Sequence, residues 1–200
     1  MRNKIYSEKH RKVYRLVNQV LKTSFISKLI HKNQKHQNME IDTLTGVYNT
    51  FAINQFLKEL HPRENINYGI ILFNIDNLKQ INAQYHVKAM NEVLISIAAR
   101  LTHNIRETDL VGRLSDSEFI LVLNDVNLEQ VTQIAERLLT MIQAHPVKFK
   151  GNLIVPVLSY GVSVSQQNAK SQEVLQQADH NRFVAKGQSN TFYSDSQTLS

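Results

Sequence analysis

The alternation of apolar and polar stretches predicts one globular domain that begins near Ile41. Apolar residues at three- and four-residue spacing, which is typical of amphipathic helices, recur over residues 49–60, 87–101, 126–144 and 171–186. Apolar or alternating runs predict a strand at YGIILFNI (68–75), a strand on each side of RLSDSEF (113–119), a hairpin in 147–165 and a short strand at 191–193.

The order of these elements contains the split βαββαβ pattern. It predicts an α/β (α+β) fold with a central mixed sheet and helices on one face. Pro156 interrupts the second half of the 147–165 hairpin, so that segment is expected at an edge or a bulge. The hairpin turn is expected at Lys150-Gly151-Asn152.

Residues 1–38 precede the domain and hold most of the positive charge. Their net charge is +9, whereas the remaining residues sum to −3. An apolar stripe with Lys and Arg opposite predicts a basic amphipathic helix, followed by the polar linker HKNQKHQN (31–38); the stripe consists of Val13, Leu16, Val17, Val20, Leu21, Phe25 and Leu29. The helix would dock on the domain, pair with a second copy in a homodimer, or lie on anionic lipid. Nucleic acid is disfavoured because no supporting motif accompanies the charge.

Composition narrows the remaining chemistry. The chain has no cysteine, which excludes disulfides and thiolate metal sites. It has no apolar run long enough to span a bilayer, no histidine pair at metal-ligand spacing and no phosphate-binding P-loop. These features predict a cytoplasmic protein, at most peripheral at the inner face of the membrane, without a bound cofactor.

Five motifs occur in the order and spacing found in GGDEF domains, the family of diguanylate cyclases and their relatives. The motifs are DTLTGVYN (42–49), FNIDNLKQIN (73–82), RETDLVGRLSDSEF (106–119), LSYGVSV (158–164) and ADHNRFVAK (178–186). The resemblance implies a palm-like βαββαβ core with an added hairpin over residues 41–195. It also implies a relation to enzymes that join two GTP molecules into cyclic di-GMP.

The chain departs from the family pattern at the positions that the resemblance assigns to catalysis. Asn74 and Ser117 stand where the family has carboxylates that bind a divalent metal ion, and hard metal ions prefer such oxygens. Ser115 and Asp116 replace two glycines that let the backbone approach phosphates. The resulting prediction is a catalytically inactive cyclase domain without a metal site.

The other nucleotide positions are mixed. Asn82 matches a guanine contact of the family, and Asn91 stands where its aspartate partner is usual. Lys186 matches a phosphate-binding lysine, whereas Asn190 replaces the arginine that follows it. Together with Asp76, Lys79 and Glu118, the residues Asn82, Asn91 and Lys186 are interpreted as a vestigial nucleotide site. The alternative is that the matching residues are surviving scaffold.

The motif Arg106-Glu107-Thr108-Asp109 lies five residues before the hairpin sequence SDSEF. In the family, Arg-x-x-Asp at this place marks a second site, which binds cyclic di-GMP with help from an arginine of a neighbouring helix, here assigned to Arg137. An arginine can fork onto guanine O6 and N7, and an aspartate can accept from the guanine N–H groups. Alternatively, Asp109 caps a turn and Arg106 pairs with Glu107 or solvent.

The leading hypothesis is a cyclic di-GMP receptor that binds through Arg106, Asp109 and Arg137 and relays the signal to a protein partner. By family analogy, the output would be exopolysaccharide synthesis through a membrane glycosyltransferase. Two alternatives stay open: a nucleotide-independent interaction scaffold, and a residual diguanylate cyclase.

Overall fold

A computed structural model describes residues 40–60, 67–165 and 170–194, apart from the side chains of residues 59 and 183–194. The predicted basic helix and linker at 1–38, with their lipid and homodimer hypotheses, lie outside the described residues. No helix in the described ranges is both long and apolar enough to cross a membrane.

Four helices and six strands make up the described domain. They are α1 (Thr50–Glu59), β1 (Tyr68–Ile75), α2 (Leu78–His103), β2 (Leu110–Arg113), β3 (Glu118–Asn124), α3 (Leu128–Ala144), β4 (Val147–Phe149), β5 (Asn152–Ile154), β6 (Leu158–Val164) and α4 (Ser171–Ser194). Asparagines begin two of the helices: the side chain of Asn49 caps α1, and Asn127 forms a reciprocal capping box with Gln130 at α3.

The central sheet has the strand order β2-β3-β1-β6, and each neighbouring pair is antiparallel. The prediction of a mixed sheet is wrong on this point. Each helical crossover, β1-α2-β2 and β3-α3-β6, skips one strand. Strands that run parallel are therefore never neighbours within this sheet.

Helices cover both faces of the sheet, whereas the sequence predicted them on one. Ile71, Phe73 and Ile75 of β1 pack in the core formed with α2 and α3. Ile70 and Leu72 pack in a second core formed with α1 and α4. The continuous apolar run of β1 is explained by this burial on both sides.

Three element predictions need correction. Helix α2 begins at Leu78 rather than residue 87, and it is broken at His86, whose φ of 66° and ψ of 171° are not helical. The predicted 147–165 hairpin is a short β4–β5 hairpin, and β6 joins the main sheet separately, with Pro156 in the connection. The predicted strand at 191–193 is part of α4.

The β4–β5 turn lies where the sequence predicted it, and its backbone conformation is that of a tight hairpin. Lys150 and Gly151 both have positive φ, 46° and 84°, as a two-residue hairpin of the type I′ class requires.

Candidate nucleotide sites

The hairpin between β2 and β3 is held by Arg113. Its guanidinium donates to the backbone oxygens of Ser115 (3.1 Å) and Asp116 (3.0 Å). It also forms an ion pair with Asp42 at 3.3 Å. The Asp42 carboxylate in turn accepts from the backbone and hydroxyl of Thr45. The DTLTG turn and the hairpin tip are therefore connected through one guanidinium.

Asn74 and Ser117 are brought together by the sheet. The Ser117 hydroxyl donates to Asn74 Oδ1 at 2.9 Å, and Asn74 Nδ2 donates to Asp76 Oδ1 at 2.6 Å. Ser159, at the start of β6, donates its hydroxyl to the same Asp76 oxygen at 3.1 Å. Neutral side chains therefore surround one carboxylate at the end of the sheet where β1 ends and β3 and β6 begin.

A divalent metal ion is implied by the family, and its fit can be tested against these donors. The described ranges contain no cluster of three or more His, Cys, Asp or Glu residues that could hold a metal ion. Asn74, Asp76 and Ser117 nevertheless offer an amide oxygen, a carboxylate and a hydroxyl at one place. Mg²⁺ takes oxygen ligands and is often held by only one or two carboxylates plus substrate phosphates. One carboxylate with two further oxygen donors satisfies this requirement for Mg²⁺. A bound ion would neutralise the charge of substrate phosphates.

Glu118 opens β3 beside this network and is paired across the sheet with Asn74. Its carboxylate accepts from the Ser115 hydroxyl at 2.9 Å and from Arg182 Nη2 at 3.1 Å. Arg182 also pairs with Asp179 on α4 at 2.5 Å. The sequence reasoning missed Arg182. The feature of the sequence that pointed to it is Asp179, an acidic residue three positions earlier on the same predicted helix and within the motif 178–186.

The remaining predicted nucleotide residues are spread along two helices. Lys79 and Asn82 are exposed before the break in α2, and Asn91 is half-buried after it. No hydrogen bond in the described part of the chain joins Asn82 or Asn91 to the hairpin. Lys186 lies on α4, in the segment whose side chains are not described.

The Arg106–Asp109 motif forms a turn between α2 and β2. Asp109 is 7% exposed, and its carboxylate accepts the N–H of Arg106 (3.0 Å) and of Asn124 (3.1 Å). Burial raises the pKa of Asp109, an effect that these two hydrogen bonds and the charge of Arg106 partly oppose. Asp109 therefore caps the turn, as the alternative interpretation of the motif expected.

Arg137 contacts the chain two residues before Arg106. Arg106 is exposed, and the exposed Arg137 on α3 donates from Nη2 to the backbone oxygen of Asn104 at 3.0 Å. The turn adjoins Leu110, at the opposite end of β2 from Arg113 and the SDSEF hairpin. Arg106 and Arg137 therefore lie at the opposite end of the β2–β3 pair from the SDSEF hairpin, whereas Lys79, Asn82 and Asn91 lie along α2.

Comparison with known proteins agrees with this architecture. The family model described as "Diguanylate cyclase, GGDEF domain" matches residues 39–191. The diguanylate cyclase DgcP from Pseudomonas aeruginosa is 31% identical over 159 residues, which are 78% of this chain and 24% of DgcP. The response regulator PleD from Caulobacter vibrioides is 30% identical over 72% of this chain and 33% of its own. This chain thus spans about a quarter to a third of these relatives.

Among solved structures, the GGDEF domain of YfiN from Pseudomonas aeruginosa superposes with a TM-score of 0.69 at 25% identity. The match covers 74% of this chain and 89% of that one. The GGDEF domain of FimX from the same organism gives a TM-score of 0.69 at 20% identity, over 74% of this chain and 93% of that one. The likeness to FimX shows the palm-like fold.

The prediction that this chain is not an enzyme is wrong. The matching family is described as diguanylate cyclase, and DgcP is named as one. The prediction rested on the charge lost at Asn74 and Ser117, on the two glycines replaced by Ser115 and Asp116, and on Asn190 in place of an arginine. Losing that charge weakens the attraction for a metal ion, but oxygen donors and the Asp76 carboxylate remain, so the residues alone did not establish loss of the reaction.

The family prediction is confirmed, since the family model spans most of the chain and the fold superposes on a solved GGDEF domain at 25% identity. This chain belongs to the GGDEF domain family.

Proposed function

We propose that the domain binds cyclic di-GMP at the turn formed by Arg106–Asp109. The observation that carries the proposal is the contact of Arg137 with Asn104, which places a second exposed arginine beside the turn that presents Arg106. Guanidinium groups suit both parts of the ligand. They fork onto guanine O6 and N7, and they bind phosphate with two parallel N–H bonds.

Asp109 contributes to this site by positioning rather than by direct contact. Its side chain is buried, and both of its oxygens already accept backbone N–H groups. The carboxylate joins the turn to the last residue of β3. We therefore assign recognition to Arg106 and Arg137, and the shape of the turn to Asp109.

A structural neighbour with the same fold has been solved with this ligand. The GGDEF domain of DgcB from Caulobacter crescentus was solved in complex with cyclic di-GMP, and it superposes with a TM-score of 0.68 at 15% identity. This likeness concerns the fold alone. The assignment of cyclic di-GMP to this chain rests on its own two arginines.

A calorimetric titration with cyclic di-GMP tests the proposal. Arg106→Ala and Arg137→Ala should each weaken binding about tenfold or more, the loss expected from one charge-assisted contact. Lys58→Ala, which removes an exposed charge from α1, is the matched control and should bind like the unmodified protein. If the unmodified protein produces no heat at high micromolar ligand, the receptor hypothesis fails and the interaction scaffold becomes the better account.

A second candidate function is formation of cyclic di-GMP from GTP, favoured by the family and by the named cyclases among the relatives. Incubation of the purified chain with GTP and Mg²⁺ or Mn²⁺, followed by chromatography of the products, tests it. If the reaction occurs at the hairpin, Asp76→Asn should abolish product, because it removes the carboxylate at the centre of the network. Equal product from the unmodified protein and Asp76→Asn would contradict this placement.

The downstream partner belongs to the same proposal. A receptor would pass the signal to another protein, and exopolysaccharide synthesis is the output that family analogy favours. Capture of one candidate glycosyltransferase with and without cyclic di-GMP tests this step. Ligand-dependent capture that Arg106→Ala abolishes is the expected result, whereas capture independent of the ligand would favour the scaffold.

A further inference from the structure

Arg182 places a positive charge beside the SDSEF hairpin. Its side chain is 20% exposed, and both of its ion pairs, with Glu118 at 3.1 Å and Asp179 at 2.5 Å, use the same nitrogen, Nη2. In the described part of the chain, Nε is buried without a hydrogen-bond partner, and no contact uses Nη1. Because Nε is buried, Nη1 is the donor that remains for another anion.

The position of Arg182 is set by close packing of α4 on β6. A Cβ atom built on Gly161 would lie 2.5 Å from the backbone N of Arg182 and 2.6 Å from its Cβ. Only a glycine in β6 permits this approach. Gly161 is paired with Leu72 of β1, so the base of the Arg182 side chain rests directly on the central sheet.

Glu118 links Arg182 to the hairpin tip. The same carboxylate that accepts from Arg182 accepts from the hydroxyl of Ser115, one of the two positions at which the family pattern has glycine beside phosphate. Lys186, which matches the family's phosphate-binding lysine, lies one helical turn beyond Arg182 on α4. The family's arginine position one turn beyond Lys186 is occupied by Asn190.

We propose that Arg182 binds a phosphate group of a nucleoside triphosphate held at the SDSEF hairpin. This inference rests on the second candidate function, because it requires a nucleotide at this site. Asp179 is 61% exposed and competes with the phosphate for the same guanidinium.

Two substitutions separate this role from a structural one. Arg182→Gln removes the phosphate contact and should weaken GTP binding about tenfold. Asp179→Asn removes the exposed ion pair between Asp179 and Arg182 and leaves the ion pair between Arg182 and Glu118 intact. This substitution should tighten GTP binding about threefold. A structural arginine would not give effects of opposite sign.

The experiment measures the dissociation constants of GTP and of guanosine for the unmodified protein and both variants, with Lys58→Ala as control and circular dichroism to verify folding. Guanosine binding should be unchanged, since it carries no phosphate. If the unmodified protein binds GTP but Asp179→Asn does not tighten it, or if GTP and guanosine change equally, the role of Arg182 is overturned. If the unmodified protein binds no GTP, the hairpin nucleotide site fails and this inference with it; the proposal for Arg106 and Arg137 is unaffected.

Discussion

Asp109 is a buried carboxylate that joins two segments of the chain. It accepts the N–H of Arg106 within its own turn and the N–H of Asn124 from β3. Asn124 returns a hydrogen bond from its side chain to the backbone oxygen of Thr108. Two hydrogen bonds with Asn124 thereby fix the turn that presents Arg106 to the end of β3.

Asp109→Ala should lower the free energy of unfolding by about 2–4 kcal/mol, because it leaves two N–H groups without their acceptor. Urea denaturation measures this loss. Thr108→Ala is the control within the same turn, and since its side chain is exposed it should cost no more than about 0.5 kcal/mol. Equal costs for the two variants would contradict the capping role. This prediction also makes Asp109 a poor position for testing ligand contact, since folding and binding would change together.

His86 breaks α2 with a backbone conformation that is nearly restricted to glycine. Its φ of 66° and ψ of 171° lie in a region that costs a side chain roughly 1–3 kcal/mol. His86→Gly should therefore stabilise the protein by about 1 kcal/mol, after allowance for the greater flexibility of glycine in the unfolded chain. Thermal or urea denaturation measures the change.

The matched control for this substitution is His180→Gly. His180 is exposed on α4, where glycine should instead destabilise the helix by about 1 kcal/mol. The test is whether the two substitutions change the free energy of unfolding in opposite directions. If both variants are destabilised, the strain assigned to His86 is absent.

At the scale of elements, the contact between α4 and β6 depends on Gly161. A Cβ atom there would lie 2.0 Å from the backbone oxygen of Ala178, which cannot move without the helix. Gly161→Ala should therefore cost about 3 kcal/mol of stability. Gly151→Ala is the comparison: its Cβ would meet nothing within 4 Å, so only its φ of 84° opposes it, at about 1 kcal/mol. Urea denaturation measures both changes, and equal losses of stability in Gly161→Ala and Gly151→Ala would show that α4 can move away from the sheet.

Elements with clear periodicity were predictable from the sequence. The run 68–75 coincides with β1, and the periodic segments near 49–60 and 126–144 coincide with α1 and α3 to within about two residues. The start of α2 was not predictable, because the polar sequence before residue 87 contains few apolar positions and ends at His86. The antiparallel order of the sheet depends on long-range pairing, which no local pattern specifies.

The candidate sites were predictable only in part, because some of their contacts join residues that are far apart in the sequence. Asn74 and Ser117 were expected together, and adjacent strands do bring them into contact. The burial of Asp109 depends on Asn124 of β3, and the ion pair of Arg182 depends on Glu118 from a distant part of the chain. Such contacts arise from tertiary packing, so residue spacing could not reveal them.

For the whole molecule, the charge distribution favours local recognition of an anion. Residues 1–38 carry a net charge of +9, and the rest of the chain sums to −3. A phosphate-bearing ligand is therefore not attracted by the net charge of the domain. In our proposals, binding depends instead on guanidinium groups beside a turn or a hairpin. These are Arg106 and Arg137 at one end of the β2–β3 pair and Arg182 at the other, where Arg113 already donates to the hairpin backbone.

Amide hydrogen exchange with and without cyclic di-GMP tests the central claim most directly, because it locates the ligand on the chain. Saturating ligand should slow exchange in the segment 104–110, with no comparable change at the hairpin 114–118, and Arg106→Ala should remove the protection. Protection confined to 114–118, or binding that leaves 104–110 unprotected, would contradict the account.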